Sequence, residues 1–388
     1  MTAPSPASID MIERLIGFQT VSRDSNLELI HWVQGYLKEL GVECLLSFEP
    51  GGRKANLYAT LGPKDRPGVL LSGHTDVVPI DGQEWVTDPF KVARKGDKLY
   101  GRGTCDMKSF VAIALAMAPD FLKANLKTPI HYAFSFDEEV GCIGVRHLIE
   151  QIRPMPVKPK ACIVGEPTEM KVVIAHKGKR SYICRVRGLE CHSSLAHTGV
   201  NAVEAAAEIV AYMKGMARER RARGPFDQDY SPPYTTIHTG LINGGTALNI
   251  VPKDCEFVFE WRYLPDDDPE AIFAEVEKYA REEIEPEMKA VDPSTGISFE
   301  EISGIPGLDT TEDAEVTALA KALTGGNSTY KVSFGTEAGL FQEAGIPTIV
   351  CGPGSIDQAH KPNEFIALDQ ITACEAFLTR LKDRCAAA

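Results

Sequence analysis

Side chains that can bind metal ions follow several apolar runs of this sequence, at the points where predicted strands end. They lie in five short stretches: Ser72–Asp76, Gly103–Asp106, Asp137–Glu139, Gly165–Pro167 and Gln358–His360. The carboxyl ends of parallel strands meet in one crevice, so these imidazoles and carboxylates are expected to converge. Such a set of side chains suits zinc, cobalt or manganese. The pattern therefore predicts a hydrolytic site that uses two metal ions.

For two candidate ligands, His74 and Asp106, the neighbouring residues indicate a possible role. His74 is followed two residues later by Asp76, whose carboxylate can accept a hydrogen bond from the imidazole and fix its tautomer. Asp106 follows a glycine-rich turn, where it could instead cap the helix that comes next. His74 and Asp76 thus favour a metal site, while both roles stay open for Asp106.

The adjacent carboxylates Glu138 and Glu139 are the most suggestive pair in the sequence. They end an apolar strand, where like charges repel unless a cation or a shared proton compensates. One carboxylate on a metal ion and the other acting as a base would remove this cost, although a solvated turn is the alternative. Glu166 also ends an apolar strand, where an unpaired carboxylate is costly. Together these carboxylates favour a metal-dependent site over isolated polar side chains.

Other catalytic chemistries receive little support from the sequence. The segment Gly101–Gly103 has neither the lysine and hydroxyl of a P-loop nor the glycine spacing of a Rossmann motif. Ser193 and Ser194 follow His192, and Cys105 lies in a glycine-rich turn, but these positions lack a nucleophile-elbow or Cys–His signature. Phosphate binding and covalent catalysis are therefore disfavoured.

Composition and charge limit the expected partners. The chain has 388 residues, with 41 Lys and Arg against 54 Asp and Glu, and a formal net charge of -13. This balance argues against nucleic acid, because phosphate binding needs clustered cations. No run approaches the roughly 18 apolar residues that span a bilayer, the first residues lack a signal pattern, and the cysteines lack disulfide or CxxC spacing. We expect a cytoplasmic protein that binds a small molecule and neither nucleic acid nor a membrane.

The hydrophobic pattern predicts an α/β protein of two domains. Apolar strands alternate with helices in the first part of the chain, which is typical of a mostly parallel sheet flanked by helices. Residues 181–303 instead predict strand, helix, strand, strand, helix and strand, the order of a ferredoxin-like α+β domain. We therefore assign residues 1–180 and 304–388 to a discontinuous catalytic domain, and 181–303 to an inserted lid. In the helix predicted from Ser109, Pro119 indicates a kink or an early stop.

Several strings of residues resemble the dizinc aminoacylase and carboxypeptidase superfamily of metallopeptidases. They are Ser72–Pro79, Leu99–Lys108, Asp137–Glu139, Gly165–Thr168 and Gly352–His360 in the predicted catalytic domain, and His192–Ser194 and Gly199–Ala202 in the predicted lid. The resemblance extends from about Ile12 to Leu381. Cys105 and Cys191 stand where the family usually has a small residue and a glycine, but neither departure removes a ligand. The resemblance implies the two-domain fold described above and a homodimer that forms through the lid.

The resemblance also implies a role for each candidate at the site. Five residues would bind two divalent ions, zinc first and cobalt or manganese as alternatives: Asp106 shared by both ions, His74 and Glu166 on one, and Glu139 and His360 on the other. Three catalytic groups would act beside them: Glu138 as the base that moves the proton of the attacking water, Asp76 as the partner of the His74 ring, and His192 as a donor to the developing oxyanion. In relatives this lid histidine serves the site of the other subunit. The resemblance further predicts a cis peptide bond between Asp106 and Met107.

Four further residues are candidates for substrate binding. The resemblance implies that Arg262 grips the substrate carboxylate and that Asn249 lies in a matching stretch. From the sequence itself, Gly354 offers a backbone N–H without a side chain in the way, and Glu337 could bind a cationic side chain. The resemblance implies a reaction that removes the acetyl group from N-acetylornithine to give ornithine and acetate, a step of arginine biosynthesis.

Two alternative functions stay open. A related hydrolase could remove a succinyl group from succinyl-diaminopimelate, or the acyl group of another N-acyl amino acid, by the same chemistry. The segment Gly352–Ile356 favours the acetyl group. A non-catalytic amino-acid-binding protein would keep the fold but lose ligands or the base, whereas the five ligand candidates and Glu138 are present in this chain.

Overall fold

The computed structural model describes residues 3–387, which form two compact units. The first unit contains residues 3–175, 308–331 and 336–387, and the second contains residues 176–307 and 332–335. The second unit is an insertion in the first, and its main segment begins and ends a few residues outside the predicted range 181–303. The prediction does not include the short segment 332–335.

The first unit is built from helices and short strands that alternate along the chain, and elements are numbered here through both units. Its helices are α1 (Pro6–Ile16), α2 (Leu27–Glu39), α3 (Lys108–Ala116), α4 (Ala118–Lys123), α5 (Ile143–Ile152), α9 (Glu315–Thr324), α10 (Ala338–Glu343) and α11 (Leu368–Ala387). Its strands are β1 (Cys44–Phe48), β2 (Ala55–Leu61), β3 (Val69–His74), β4 (Ala93–Lys95), β5 (Lys98–Tyr100), β6 (Ile130–Ser135), β7 (Ala161–Pro167), β8 (Val172–His176), β13 (Leu308–Asp309), β14 (Thr329–Val332), β15 (Thr348–Gly352) and β16 (Phe365–Ala367).

A mixed sheet forms the centre of this unit. Its strand order is β1-β2-β6-β3-β7-β15-β8-β13, and β14 pairs with β8. Strand β3 lies parallel to both β6 and β7, and β15 lies parallel to β7. Every residue of β3 is buried, which explains why Val69–Leu71 is apolar without alternation. The carboxyl ends of the parallel strands meet at one edge, as the sequence predicts, and the α/β fold class is confirmed.

Helix α3 begins directly after the turn that carries Asp106 and packs beside β3. It is buried along most of its length, so it is apolar on all sides rather than amphipathic. A side-chain carbon at Gly73 would lie 2.8 Å from the side chain of Met107, so this glycine allows the close approach of β3 to that turn. Helix α3 ends at Ala116, and a new helix begins with Pro119 in its first turn. The predicted interruption at this proline is confirmed.

A small second sheet lies beside the same edge, in the order β16-β5-β4. Phe365 on β16 pairs with Tyr100 on β5 in antiparallel register. The sequence does not predict these strands, because three residues are too few to show a period. Their pairing joins the segment before Asp106 to the segment after His360.

The second unit is an antiparallel sheet with helices. Its elements are β9 (Gly178–Arg187), α6 (Ala202–Arg223), β10 (Thr236–Gly244), β11 (Asp254–Tyr263), α7 (Pro269–Tyr279), a π-helical segment (Ala280–Ile284), α8 (Glu285–Val291) and β12 (Gly296–Ile305). The strand order β10-β11-β9-β12 is the ferredoxin-like arrangement that the sequence predicts. Asp268 accepts a hydrogen bond from the backbone N–H of Glu270 at 2.9 Å, and Pro269 follows it, so α7 begins with a cap and a proline as expected.

Each unit has an apolar core of its own. In the first unit, Ile12, Leu29 and Phe377 of three helices are buried against the sheet. In the second, Trp261 of β11 and Ile209 of α6 belong to one buried cluster. Within residues 3–387, none of the helices has both the length and the apolar character needed to cross a membrane.

Candidate metal centre

Asp106 lies between two imidazoles. Its Oδ1 is 3.0 Å from Nε2 of His74, and its Oδ2 is 3.3 Å from Nε2 of His360. The ring of His74 also lies 3.7 Å from Oε1 of Glu166, and the ring of His360 lies 2.9 Å from Oε2 of Glu139. The five candidate ligands therefore come together in the structure, in two groups that share the carboxylate of Asp106.

The tautomer of His74 suits a metal ligand. Its Nδ1 lies 2.8 Å from the backbone carbonyl oxygen of Asp76, so the ring donates its Nδ1 proton to that oxygen. Nε2 of the ring faces the oxygens of Asp106 and Glu166. Burial opposes protonation of this ring, but hydrogen bonds to Asp106 and Asp76 and the charge of Glu166 raise the pKa of His74 well above its usual value, so Nε2 carries a proton when no metal ion is bound. A divalent ion between the ring and the carboxylates would replace that proton, so this geometry fits a metal ligand.

Asp76 connects this imidazole to the turn of the paired glutamates. Its carboxylate accepts hydrogen bonds from the backbone N–H groups of Glu138 at 3.1 Å and Glu139 at 3.4 Å, and from Oγ of Ser22 at 2.8 Å. Burial opposes its ionisation, but hydrogen bonds from His74 and Ser22 hold the pKa of Asp76 below its usual value. Asp76 is therefore placed to orient both the ring and the turn.

The ionised forms of the three glutamates of the site are unfavourable without a cation. Burial, together with the neighbouring carboxylates, raises the pKa of Glu138 to about 8 and that of Glu139 to about 7. Burial and the charge of Asp106 raise the pKa of Glu166 well above its usual value. Bound divalent cations would stabilise these groups as carboxylates.

For Asp106 and His360, in contrast, the surroundings favour the charged form. Burial opposes ionisation of Asp106, but hydrogen bonds from His360 and His74 hold its pKa below the usual value. Hydrogen bonds to Asp106 and Glu139 raise the pKa of His360 to about 10. Asp106 is thus an anion held between two rings, which is the position of a carboxylate that two cations share.

Ligand atoms of the site form two overlapping clusters, each with its atoms within 4.8 Å of one another. One contains His74, Asp106 and Glu139, and the other contains His74, Glu138 and Glu166. Imidazole nitrogens and carboxylate oxygens in these numbers suit zinc and similar ions. Glu138 is also close enough to be a metal ligand. We choose Glu139 as the candidate ligand and Glu138 as the candidate base because Glu139 contacts His360.

The peptide bond between Asp106 and Met107 is cis. This confirms the expectation drawn from the family resemblance. Downstream of it, the backbone continues directly into helix α3.

The sequence did not predict the role of Lys54, which binds the first residue of the turn Asp137–Glu139, called here the glutamate turn. The buried ammonium group of Lys54 donates to both carboxylate oxygens of Asp137, at 2.6 and 2.7 Å, and to the backbone oxygen of Ser22. Asp137 has a positive φ of 53°, so the turn begins in a conformation that few residues adopt. The sequence contains one indication of this contact. Lys54 directly precedes the buried strand β2, and a cation at a buried position needs a partner of opposite charge.

Two of the predicted substrate-binding residues in the first unit already have other partners. The carboxylate of Glu337 is buried and accepts hydrogen bonds from Oγ of Ser72 at 2.6 Å and Oγ of Ser135 at 2.8 Å. It therefore joins the ends of β3 and β6, and these contacts do not support a direct role in binding a cationic side chain. The N–H of Gly354 donates to Oε1 of Gln370 at 3.2 Å rather than standing free for a ligand.

The candidates in the second unit are exposed or half-buried. Nδ1 of His192 accepts a hydrogen bond from the backbone N–H of Ser194 at 3.1 Å, which leaves Nε2 as the donor of this exposed ring. The backbone oxygen of Asn249 accepts from the N–H of Ser193 at 3.0 Å, so the structure brings Asn249 next to His192. Arg262 lies on β11, where its Nε donates to Oε1 of Glu260 at 3.1 Å.

A mixed α/β sheet with imidazoles and carboxylates gathered at one edge defines a metal-dependent hydrolase. The model of the family described as peptidase family M20/M25/M40 matches residues 70–384. The chain belongs to this family, and the match covers both the metal centre and the inserted unit.

Curated and solved proteins are similar over nearly the whole chain. Acetylornithine deacetylase from Myxococcus xanthus is 34% identical over 386 residues, 98% of each chain. Seven further relatives of the same description are 32–35% identical. The structure of an M20 family metallo-carboxypeptidase from Sulfolobus solfataricus has a TM-score of 0.77 at 19% identity, covering 99% of this chain and 100% of that one. A Bacillus subtilis protein described as a dinuclear metal-binding peptidase of the M20 family has a TM-score of 0.67 at 17% identity and covers 97% of both chains. At these identities, the solved structures support the fold.

Proposed function

We propose that this protein is an amide hydrolase that removes the acetyl group from N-acetylornithine, giving ornithine and acetate. The observation that carries the proposal is Asp106 held between the rings of His74 and His360, with Glu138 adjacent. The proposed substrate is taken from the curated relatives described as acetylornithine deacetylases, which match over 94% to 98% of this chain. This reaction is a step of arginine biosynthesis, and we place it in the cytoplasm.

The proposed metal centre holds two divalent ions, zinc by preference and cobalt or manganese as alternatives. Asp106 would bind both ions, while His74 with Glu166 and Glu139 with His360 would each complete one site. When bound, the ions polarise the amide carbonyl and lower the pKa of the attacking water. The chain itself supplies the geometry, because Asp76 fixes the ring of His74 and the turn of the glutamates.

Glu138 is the proposed base of the reaction. It would accept a proton from the water as the water attacks the acetyl carbonyl, and then deliver that proton to the amide nitrogen as the carbon–nitrogen bond breaks. Without metal ions, burial raises the pKa of Glu138 to about 8, and bound divalent ions would favour its carboxylate form. The carboxylate is the form that can accept the proton of the water.

Residues of the second unit would recognise and stabilise the reacting substrate. We propose that His192 donates from Nε2 to the oxyanion, because the backbone N–H of Ser194 already occupies Nδ1. Arg262 would bind the substrate carboxylate, and Asn249, next to His192, would contribute a polar contact. The His192 donor would act on charge that develops during the reaction, so it would raise the rate more than the affinity.

The protein is further proposed to form a homodimer through its second unit. Strand β10 lies at an edge of the antiparallel sheet, and Leu241 on it is 61% exposed. An exposed apolar edge strand invites pairing with another strand. A second copy of the chain can provide that strand, and light scattering would measure the resulting mass.

A panel of substrates tests the proposed reaction. Metal-loaded protein would be assayed for acetate or succinate release with N-acetylornithine, N-acetylcitrulline, N-acetylmethionine and succinyl-diaminopimelate. The highest kcat/KM is expected for N-acetylornithine. A preference for succinyl-diaminopimelate would show that the proposed substrate is wrong, while the proposed amide hydrolysis would still hold. Hydrolysis of none, with metal bound, would favour an amino-acid-binding protein instead.

A further inference from the structure

A buried carboxylate outside the ligand set holds the loop that carries Asp106. Oε1 of Glu364 accepts hydrogen bonds from the backbone N–H groups of Cys105 at 2.7 Å and Asp106 at 3.0 Å. Its Oε2 accepts from the N–H of Gly103 at 3.1 Å. Three backbone donors of one loop therefore converge on one side chain that lies 261 positions away from Gly103 in the sequence.

Arg102 extends these contacts to the loop of the other histidine. Its guanidinium is buried and donates from Nη1 to Oε2 of Glu364 at 2.7 Å and from Nη2 to Oε1 of Gln83 at 2.6 Å. The amide of Gln83 in turn donates from Nε2 to the backbone oxygen of His360 at 3.1 Å. Arg102 also donates to the backbone oxygen of Lys361 at 3.4 Å. The network is thus continuous from the backbone of Asp106 to the backbone of His360.

His360 needs such support more than the other candidate ligands do. Its side chain is 55% exposed, whereas that of Asp106 is 7% exposed, so packing holds the ring only weakly. Its backbone has a positive φ of 62°, a conformation that non-glycine residues rarely adopt. The hydrogen bonds from Gln83 and Arg102 reach the backbone oxygens of this residue and the next, and so constrain where the ring can lie.

We propose that Glu364 and Arg102 are positioning residues that fix Asp106 and His360 relative to each other and so maintain the second metal site. This inference rests on the proposed ligand set. His74 and Glu166 lie on β3 and β7 of the central sheet, which position them without this network. Asp106 is common to both proposed sites, whereas the exposed ring of His360 belongs to only one, so loss of the network should weaken the ion on the Glu139 and His360 side more than the other ion.

The expected size of the effect follows from other metal sites. Residues that orient ligands by hydrogen bonds typically change metal affinity by about 10- to 100-fold when they are substituted. Glu364→Gln keeps the size of the side chain but loses the charge that faces Arg102 and presents an amide nitrogen to a backbone N–H. Arg102→Lys keeps the charge but cannot donate to Glu364 and Gln83 with one planar group. Gln83→Ala removes the hydrogen bond to the backbone oxygen of His360 while leaving the buried pair of Arg102 and Glu364 in place.

Metal titration of the full chain provides the test. Metal-free protein is titrated with Co²⁺ in competition with a chelator, and calorimetry and the visible cobalt spectrum record each equivalent. We expect the parent to bind two equivalents, and Glu364→Gln and Arg102→Lys to bind the second about 10- to 100-fold more weakly, with a smaller loss for the first. Gln83→Ala should show a smaller loss of the same kind. Activity of the variants should return toward the parent value when excess metal is added.

A matched control separates positioning from general stability. Glu285 of the second unit is also buried and accepts from Arg281, Lys289 and the backbone N–H of Ile297. Glu285→Gln should lower the melting temperature while leaving both metal equivalents unchanged.

Three results would overturn the proposal. The first is parent-like affinity for both equivalents in Glu364→Gln and Arg102→Lys, even if their melting temperatures fall. The second is an equal loss of both equivalents. The third, which applies if Glu364→Gln does not fold, is parent-like binding in Gln83→Ala and Arg102→Lys. A parent that binds fewer than two equivalents contradicts both this proposal and the proposed ligand set, whereas an incorrect substrate leaves the titration unaffected.

Discussion

The backbone N–H of Glu138 donates to Oδ1 of Asp76 across 3.1 Å. The same carboxylate group lies beside the ring of His74, with Oδ1 3.5 Å from Nδ1. One aspartate therefore fixes both the proposed base and the first proposed ligand. As a result, the backbone of Glu138 is held beside His74 by contacts within the chain.

Glu138→Gln separates catalysis from metal binding. The amide cannot carry the proton, so kcat should fall by about 10²- to 10⁴-fold, the usual contribution of a general acid–base group. Metal content, measured by mass spectrometry of the dialysed protein, should stay at the parent value. Glu139→Gln is the matched variant and should lose metal. If the two variants show the reverse pattern, the roles of Glu138 and Glu139 have been exchanged.

Lys54→Met tests the support of the glutamate turn. The substitution leaves the charge of Asp137 without its partner in a site where both side chains are largely buried. Breaking such a pair typically costs about 3 to 5 kcal/mol, which denaturant unfolding would measure. Lys64→Met, which breaks an exposed pair with Glu43, serves as the control and should leave stability unchanged. Equal stability of both variants would show that the Lys54 contact is dispensable.

The pH dependence of stability should differ between metal-free and metal-loaded protein. The folded pKa of Glu138 is raised to about 8 by burial, and that of His360 to about 10 by Asp106 and Glu139. Both exceed the ordinary values, so the folded metal-free chain retains protons that the unfolded chain has lost. Its unfolding free energy should therefore fall as pH rises from about 5 to about 9.

Bound metal ions should reduce this decline, because ligands bind metal in their deprotonated forms. Urea unfolding across this pH range, with a chelator or with zinc, makes the comparison. Stability of the metal-free protein that increases over the range would contradict the charge distribution described for the site.

The local pattern of the sequence was sufficient to predict that the candidate ligands lie together, but not which residues hold them in place. His74 and Glu166 end apolar strands of a parallel sheet, and this topology alone brings their side chains to one edge. Glu364 and Lys54 act through partners that lie far away in sequence, and no periodicity indicates which side chains meet. The contacts of Glu337 could not be predicted for the same reason, since its two serine partners come from separate strands.

His192→Ala tests the proposed oxyanion donor. Turnover should fall by about 10²-fold or more, because one donor to the developing charge is removed, while metal content and oligomeric mass stay at parent values. Ser194→Ala is a useful comparison, since it removes the contact of Oγ with Nδ1 of His192 at 2.8 Å but keeps the backbone N–H that binds the same atom. Its activity should stay close to that of the parent.

Mixed dimers show which subunit uses this histidine. If His192 serves the partner's site, hybrids of Glu138→Gln and His192→Ala chains should recover part of the activity, because one site then has both groups. Verified hybrids without activity would mean that each subunit uses its own His192 or that the residue has no catalytic role.

Zinc titration of the metal-free protein, with acetate release from N-acetylornithine followed by NMR, tests the central claim most directly. A centre in which Asp106 is shared by two ions predicts that activity rises steeply as the second equivalent binds and then reaches a plateau. The products should be ornithine and acetate in equal amounts. Full activity at one equivalent, or no acetate when two equivalents are bound, would contradict a two-metal deacetylase.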